Sequence, residues 1–161
     1  MIIILMGVSG SGKTMVGQLL AKELGWPFYD GDDFHPEANV DKMRFGIPLN
    51  DEDRETWLMQ LRDLINECLH KNRYAILACS ALKQKYRDRL QQGRPEVIRF
   101  VYLKGDFALI QQRLQRRQDH FMNPKLLQSQ FEALEEPEGV LTIDVAQEPA
   151  VIVDLIKREL S

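Results

Sequence analysis

Cysteine is scarce: Cys68 and Cys79 are the only two in 161 residues. Two thiols are too few for a disulfide framework, and no Cys/His group has the spacing of a zinc site. Long apolar runs are missing as well, with nothing near the roughly 18 residues of a membrane span. The opening MIIILMG is apolar but has no charged leader and no cleavage site. It runs straight into a glycine-rich string, so it reads as a strand and not as a signal peptide. There is no excess of basic charge either. The formal net charge is −3 and the isoelectric point about 5.7, which is poorly suited to a phosphate backbone. The expectation is a cytoplasmic chain without a membrane or nucleic-acid partner. Repeats and low-complexity tracts do not occur.

What is present suits one domain over 1–161, long enough to close a core without staples. Ile2–Met6 is an uninterrupted apolar run, the pattern of a strand buried on both faces. Residues 13–24 carry Val16, Leu19, Leu20 and Leu24 at helical spacing, and Gly25 stops them. PFYD ends a second strand at Asp30. Residues 50–71 show the clearest helical periodicity, with Asn50 placed as N-cap and acids in the first turn. Further strands are expected at 74–79, 97–103 and 140–145, with helices near 82–92, 106–118, 124–135 and 148–160. Such alternation predicts an α/β fold, a five-stranded parallel sheet covered by helices on both faces. Ligands in such sheets bind beyond the carboxyl ends of the strands.

Beyond the first strand lies GVSGSGKT, residues 7–14, which fits G-x-x-x-x-G-K-[ST] between strand and helix. Gly7, Val8, Ser9, Gly10, Ser11 and Gly12 would turn successive N–H groups toward phosphate oxygens at a helix N-terminus. Lys13 would reach the β- and γ-phosphates, and Thr14 would offer its hydroxyl to Mg²⁺. The switch and base-reading motifs of signalling GTPases do not occur, so a small P-loop phosphotransferase using ATP fits best.

Phosphoryl transfer also needs a metal carboxylate and a group that orients the acceptor hydroxyl and takes its proton. FYDGDDFHP supplies three acids. Asp30, at the strand end, is placed on the metal side. Asp32 can reach outward to the acceptor, and Asp33 reads as a turn residue. An Asx turn is the plain alternative for the whole cluster. His35 adjoins Asp32 and is a second candidate there. Arg54 sits in a first helical turn, where a cation opposes the dipole, which suggests an anion nearby. Lys83 and Arg87 share a helical face and either grip an anionic acceptor or form a solvated surface. Arg113, Arg116 and Arg117 form a basic face near 113–121, either a lid supplying arginines to the phosphates or an exposed helix.

Taken together, GVSGSGKT, DGDDFHPEANVDKMRFGIPLNDEDRETWL, CSALKQKYRDRL, FVYLKG and HFMNPKLLQSQFEALEEP resemble the small bacterial-type gluconate kinases over nearly the whole chain. That family is related in plan to shikimate kinase. The resemblance implies a P-loop kinase-type three-layer sandwich with an acceptor-binding segment near 34–72 and a lid near 113–135. It implies MgATP-dependent phosphorylation of the 6-hydroxyl of D-gluconate by a homodimer. Residues 7–14 would hold ATP together with Arg113 and Arg116. Lys13, Asp32 and Arg117 would be catalytic, and Thr14 and Asp30 would hold the metal. Asp32, His35, Arg54, Lys83 and Arg87 would bind the acid, and VAQEP (145–149) would lie near adenine. Rival readings are a kinase for another small hydroxy acid such as shikimate, or an ATP-binding regulatory module without turnover.

Overall fold

The computed structural model describes residues 1–116 and 124–160. Five strands form one parallel sheet: β1 (Ile2–Met6), β2 (Phe28–Asp30), β3 (Ala75–Ala78), β4 (Ile98–Lys104) and β5 (Leu141–Asp144), in the order β2-β3-β1-β4-β5. Hydrogen-bonded registers run Leu5 beside Ala78 and beside Val101, with Asp30 beside Ala78 at the edge. All of β1 is buried, as its apolar run requires.

Helices cover both faces. Side chains alternate along each strand, so β1 sends Ile2, Ile4 and Met6 to one core and Ile3 and Leu5 to the other. The first core is closed by α3 (Asp51–His70) through Trp57, Leu58, Leu61 and Ile65, and by α4 (Gln84–Gln91) through Tyr86 and Leu90. The second is closed by α1 (Lys13–Leu24), α5 (Phe107–Gln115) and α7 (Pro149–Leu160), with Leu20, Ile110 and Ile152 among the contacts. Both cysteines are buried and free, and burial pushes the Cys79 thiol up to about 12, which leaves it unreactive. No helix is long and apolar enough to cross a membrane among the described residues.

Asn50 caps α3 through a reciprocal pair. Its side chain accepts from Asp53 N–H at 2.8 Å, and the Asp53 carboxylate accepts from Asn50 N–H at 3.0 Å. Two elements differ from the sequence expectation. A helix, α2 (Glu37–Arg44), forms where periodicity gave none, because only Asn39 and Met43 of it are buried. Helix α4 starts at Gln84 and not near 82, because Ala81 takes a left-handed φ of 45° and Lys83 is extended at the cap. The remaining helix, α6 (Pro124–Ala133), follows residues 117–123.

Candidate active site

The strand order puts β3 between β1 and β2, yet the ends of all three meet one cleft. At the end of β1 the chain enters the 7–14 loop. Gly10 has φ 82°, and a Cβ there would press on Ile110 and Leu114 at about 3.0–3.1 Å, so conformation and space both call for glycine. Lys13 Nζ donates to the carbonyls of Gly7 (2.9 Å) and Val8 (3.0 Å), folded over the loop it serves. Thr14 donates its hydroxyl to Asp30 Oδ2 at 3.2 Å.

Asp30 has two jobs. Its other oxygen accepts from Asp32 N–H at 2.9 Å and caps a single 3-10 turn, residues 31–34. The Asx turn therefore exists, and it is what aims the acids. Gly31 does not have a positive φ; it is a matter of space, since a Cβ would lie 2.5 Å from Ala78 O on β3. Asp32 projects from this turn into the cleft, and Asp33 stays exposed. The surrounding protein pushes the Asp32 carboxyl above its usual range, with Lys13 opposing and Asp30 and Asp33 adding to the push. Its side chain is still 64% exposed toward the cleft, so solvent tempers the effect.

The pocket beside the phosphate loop is built around Trp57. Its indole N–H donates to Gly31 O at 2.7 Å, which fixes α3 to the 3-10 turn. His35 stacks on the same ring at 4.3 Å and 11°, with its side chain only 5% exposed. Asn39 donates to Asp53 O at 2.7 Å and, on the same amide nitrogen, meets His35 Nδ1 at 3.3 Å. That contact assigns the neutral imidazole proton to Nε2, which faces Asp32 Oδ1 at 3.9 Å. Burial, aided by the Arg54 cation, lowers His35 to about 4, so it is uncharged at neutral pH.

Arg54 lines the same pocket, held by Leu49 O (2.8 Å) and the Tyr86 hydroxyl (3.3 Å). Lys83 does not line it. Lys83 pairs with Asp51 at 3.3 Å, and Lys85 and the Tyr86 hydroxyl donate to that same carboxylate. Lys85 first and Tyr86 second hold Asp51 well below the ordinary carboxylate range. Arg87 corrects the sequence reading outright: it is 3% exposed and turned into the protein. Its guanidinium donates to Ala81 O (2.7 Å), Glu135 O (2.7 Å) and Gln84 Oε1 (3.0 Å), tying α4 to the chain after α6. A helical face shared with Lys83 could not reveal this, because Lys83 itself lies at the cap.

Of the three arginines expected to form a basic face, Arg113 donates to Val145 O, at 2.5 Å. It borders a second cleft with Gly10, Gly12, Gln147 and Pro149, beside the phosphate loop. Arg116 is exposed at the end of α5, and Arg117 and His120 lie outside the described residues. Trp57, Asn39, Tyr86 and Gln130 were not singled out from sequence as site residues. For Trp57 a signal existed, since it follows Arg54 by three and shares its helical face. Among the described residues no cluster of three or more His, Cys, Asp or Glu gathers for a metal. A hydroxyl and a carboxylate beside a phosphate cradle nevertheless suit Mg²⁺, which takes one or two protein ligands, phosphates and water.

A glycine-rich cradle on a parallel sheet, opening into a second polar pocket, is the plan of a P-loop kinase. The family model described as shikimate kinase matches residues 9–147. The thermosensitive gluconokinase of Escherichia coli K12 is 48% identical over 155 residues, covering 94% of this chain and 82% of that protein. A gluconokinase structure from Sinorhizobium meliloti 1021 is 44% identical, with a TM-score of 0.82, covering 94% of this chain and 86% of that one. An unliganded sugar kinase from Janibacter sp. HTCC2649 superposes with a TM-score of 0.93 at 38% identity, covering 99% and 93%. The chain belongs to the gluconokinase family of shikimate kinase-like P-loop kinases.

Proposed function

We propose that the chain transfers the γ-phosphoryl group of ATP to the 6-hydroxyl of D-gluconate, giving ADP and 6-phospho-D-gluconate. One observation carries this reading: Ser9, Lys13 and Asp32 line both the phosphate cradle and the acceptor pocket, so the two meet at these residues. A phosphoryl group held by the loop would face a hydroxyl oriented by Asp32. The hydroxyl oxygen forms the new bond to phosphorus, the bond to the β-phosphate oxygen breaks, and Asp32 takes the proton. Lys13 offsets charge on the transferring group. Mg²⁺, held by Thr14 and Asp30, would supply further charge neutralisation on the donor phosphates.

At the far end of the pocket, Arg54 is the cation suited to the acid's carboxylate, and neutral His35 offers its Nε2–H to hydroxyls. That polarity would direct the terminal hydroxyl toward the phosphate. The cleft at Arg113 and 145–149 suits the adenine, which places Arg113 on the nucleotide side. Lys83 is assigned to the Asp51 pair, and Arg117 remains a candidate for the phosphates. The family resemblance also supports a cytoplasmic homodimer, which light scattering would check. A panel of acceptors with ADP detection tests the reaction. Gluconate should stimulate ADP release; stimulation by shikimate or another acid alone would refute the substrate, and none by any acceptor would favour a non-catalytic module.

A further inference from the structure

Helix α6 presents Leu126, Ser129 and Gln130 to the acceptor pocket, the i, i+3, i+4 spacing of one helical face. Leu126 closes a small apolar cluster with Met43 and Leu49, from the acceptor-binding segment. One turn further on, Gln130 Oε1 accepts a hydrogen bond from the backbone N–H of Ser9 at 2.7 Å. Ser9 lies where the cradle and the acceptor pocket meet. The same face of one helix therefore holds the acceptor wall at one end and the phosphate loop at the other.

A carboxamide offers one acceptor oxygen and two N–H donors. With the oxygen on Ser9, the donors are what Gln130 offers to the pocket, where the hydroxyl oxygens of a polyhydroxy acid can accept them. We propose that Gln130 is a positioning residue that couples the donor and acceptor sites. The proposal rests on the gluconate reading of the pocket. A hydroxyl bound to the Gln130 amide orients the carboxamide and so fixes the Ser9 peptide in the cradle. Phosphates filling the cradle fix the same peptide, and through it Gln130 and α6 against the acceptor wall. Filling either site strengthens binding at the other, and the effect is reciprocal.

Titration calorimetry on the full chain tests this. The dissociation constant of gluconate is measured with and without a non-hydrolysable MgATP analogue. The wild-type chain should bind gluconate about 5–10-fold more tightly when the analogue is present. Gln130→Met keeps length and helix propensity but removes both hydrogen-bonding ends; its ratio should fall to about 1–2 while both ligands still bind. Gln130→Glu keeps an oxygen for Ser9 N–H and lacks the donors, so it should also lose the coupling. Gln128→Met, on the exposed side of the helix, should keep the wild-type ratio, and thermal melts report folding separately. Gluconate that binds without coupling, or with coupling that both Gln130 variants retain, overturns the proposal alone. Gluconate that binds under neither condition overturns it together with the functional reading.

Discussion

Acidification should destabilise this protein through one imidazole. His35 is held at about 4 against an ordinary 6.5, because its ring is packed on Trp57 and faces Arg54. Protonating Nδ1 would also set an N–H against the Asn39 amide. The sign follows from proton counting. Between pH 6.5 and 4 the unfolded chain binds the proton and the folded chain does not, so stability falls as pH falls. The contribution is complete by about a pH unit above 6.5, and relative to pH 7.5 the loss is about 1.3 kcal/mol at pH 5.5 and about 2.5 kcal/mol at pH 4.5. Urea unfolding at these three pH values measures it, with His35→Gln as the non-titrating reference. Asp32 works in the opposite direction, since its raised carboxyl loses stabilisation as pH rises above its unfolded value of 3.8. That effect is present in both proteins, so it largely cancels in the comparison. The gap between wild type and variant should narrow by about 2.5 kcal/mol from pH 7.5 to 4.5. Parallel pH profiles for the two proteins would refute the argument.

Three substitutions probe the rest of the site. Gly31→Ala puts a Cβ against the backbone oxygen of Ala78, so the 3-10 turn must shift and carry Asp32 with it; kcat should fall by about 100-fold with MgATP binding largely kept, and wild-type kcat would show that the turn tolerates the change. Asp32→Asn removes the proposed proton acceptor and should lower kcat by on the order of 10²–10⁴ in steady-state assays. Equal loss of nucleotide binding in that variant would instead assign Asp32 to the metal. Arg87→Ala strands the buried carbonyl of Ala81 and frees the partly buried one of Glu135; about 2–3 kcal/mol of stability should go, with Tm down by on the order of 10 °C and the KM for the acid unchanged.

The cradle was legible because its residues are contiguous and each does its work through local backbone geometry. The cap on α3 was legible for the same reason, since Asn50 and Asp53 are three residues apart. The acids of FYDGDDFHP were half legible. Their turn is local, but the contact between Asp30 and Thr14 crosses from β2 to α1. Arg87 misled because its partners, Ala81 O and Glu135 O, depend on how α4 meets the segment after α6. Helix α2 left no apolar period to read, with only Asn39 and Met43 facing inward. The His35–Trp57 stack and the Ser9–Gln130 bond join residues 22 and 121 positions apart, beyond any local pattern.

The alternation along β1 decides how far a change in one layer is felt in the other. Helix α1, which begins with Lys13 and Thr14, packs into one core, and α3, which carries Arg54 and Trp57, packs into the other. A substitution in the layer of Trp57, Leu61 and Ile65 is accommodated within that core, and Val16 and Leu20 behind the phosphate loop keep their packing. Helix α6 is the exception: its Leu127 packs in the core shared with α1 while Leu126, Ser129 and Gln130 line the opposite pocket, so a change there is felt on both sides of the sheet.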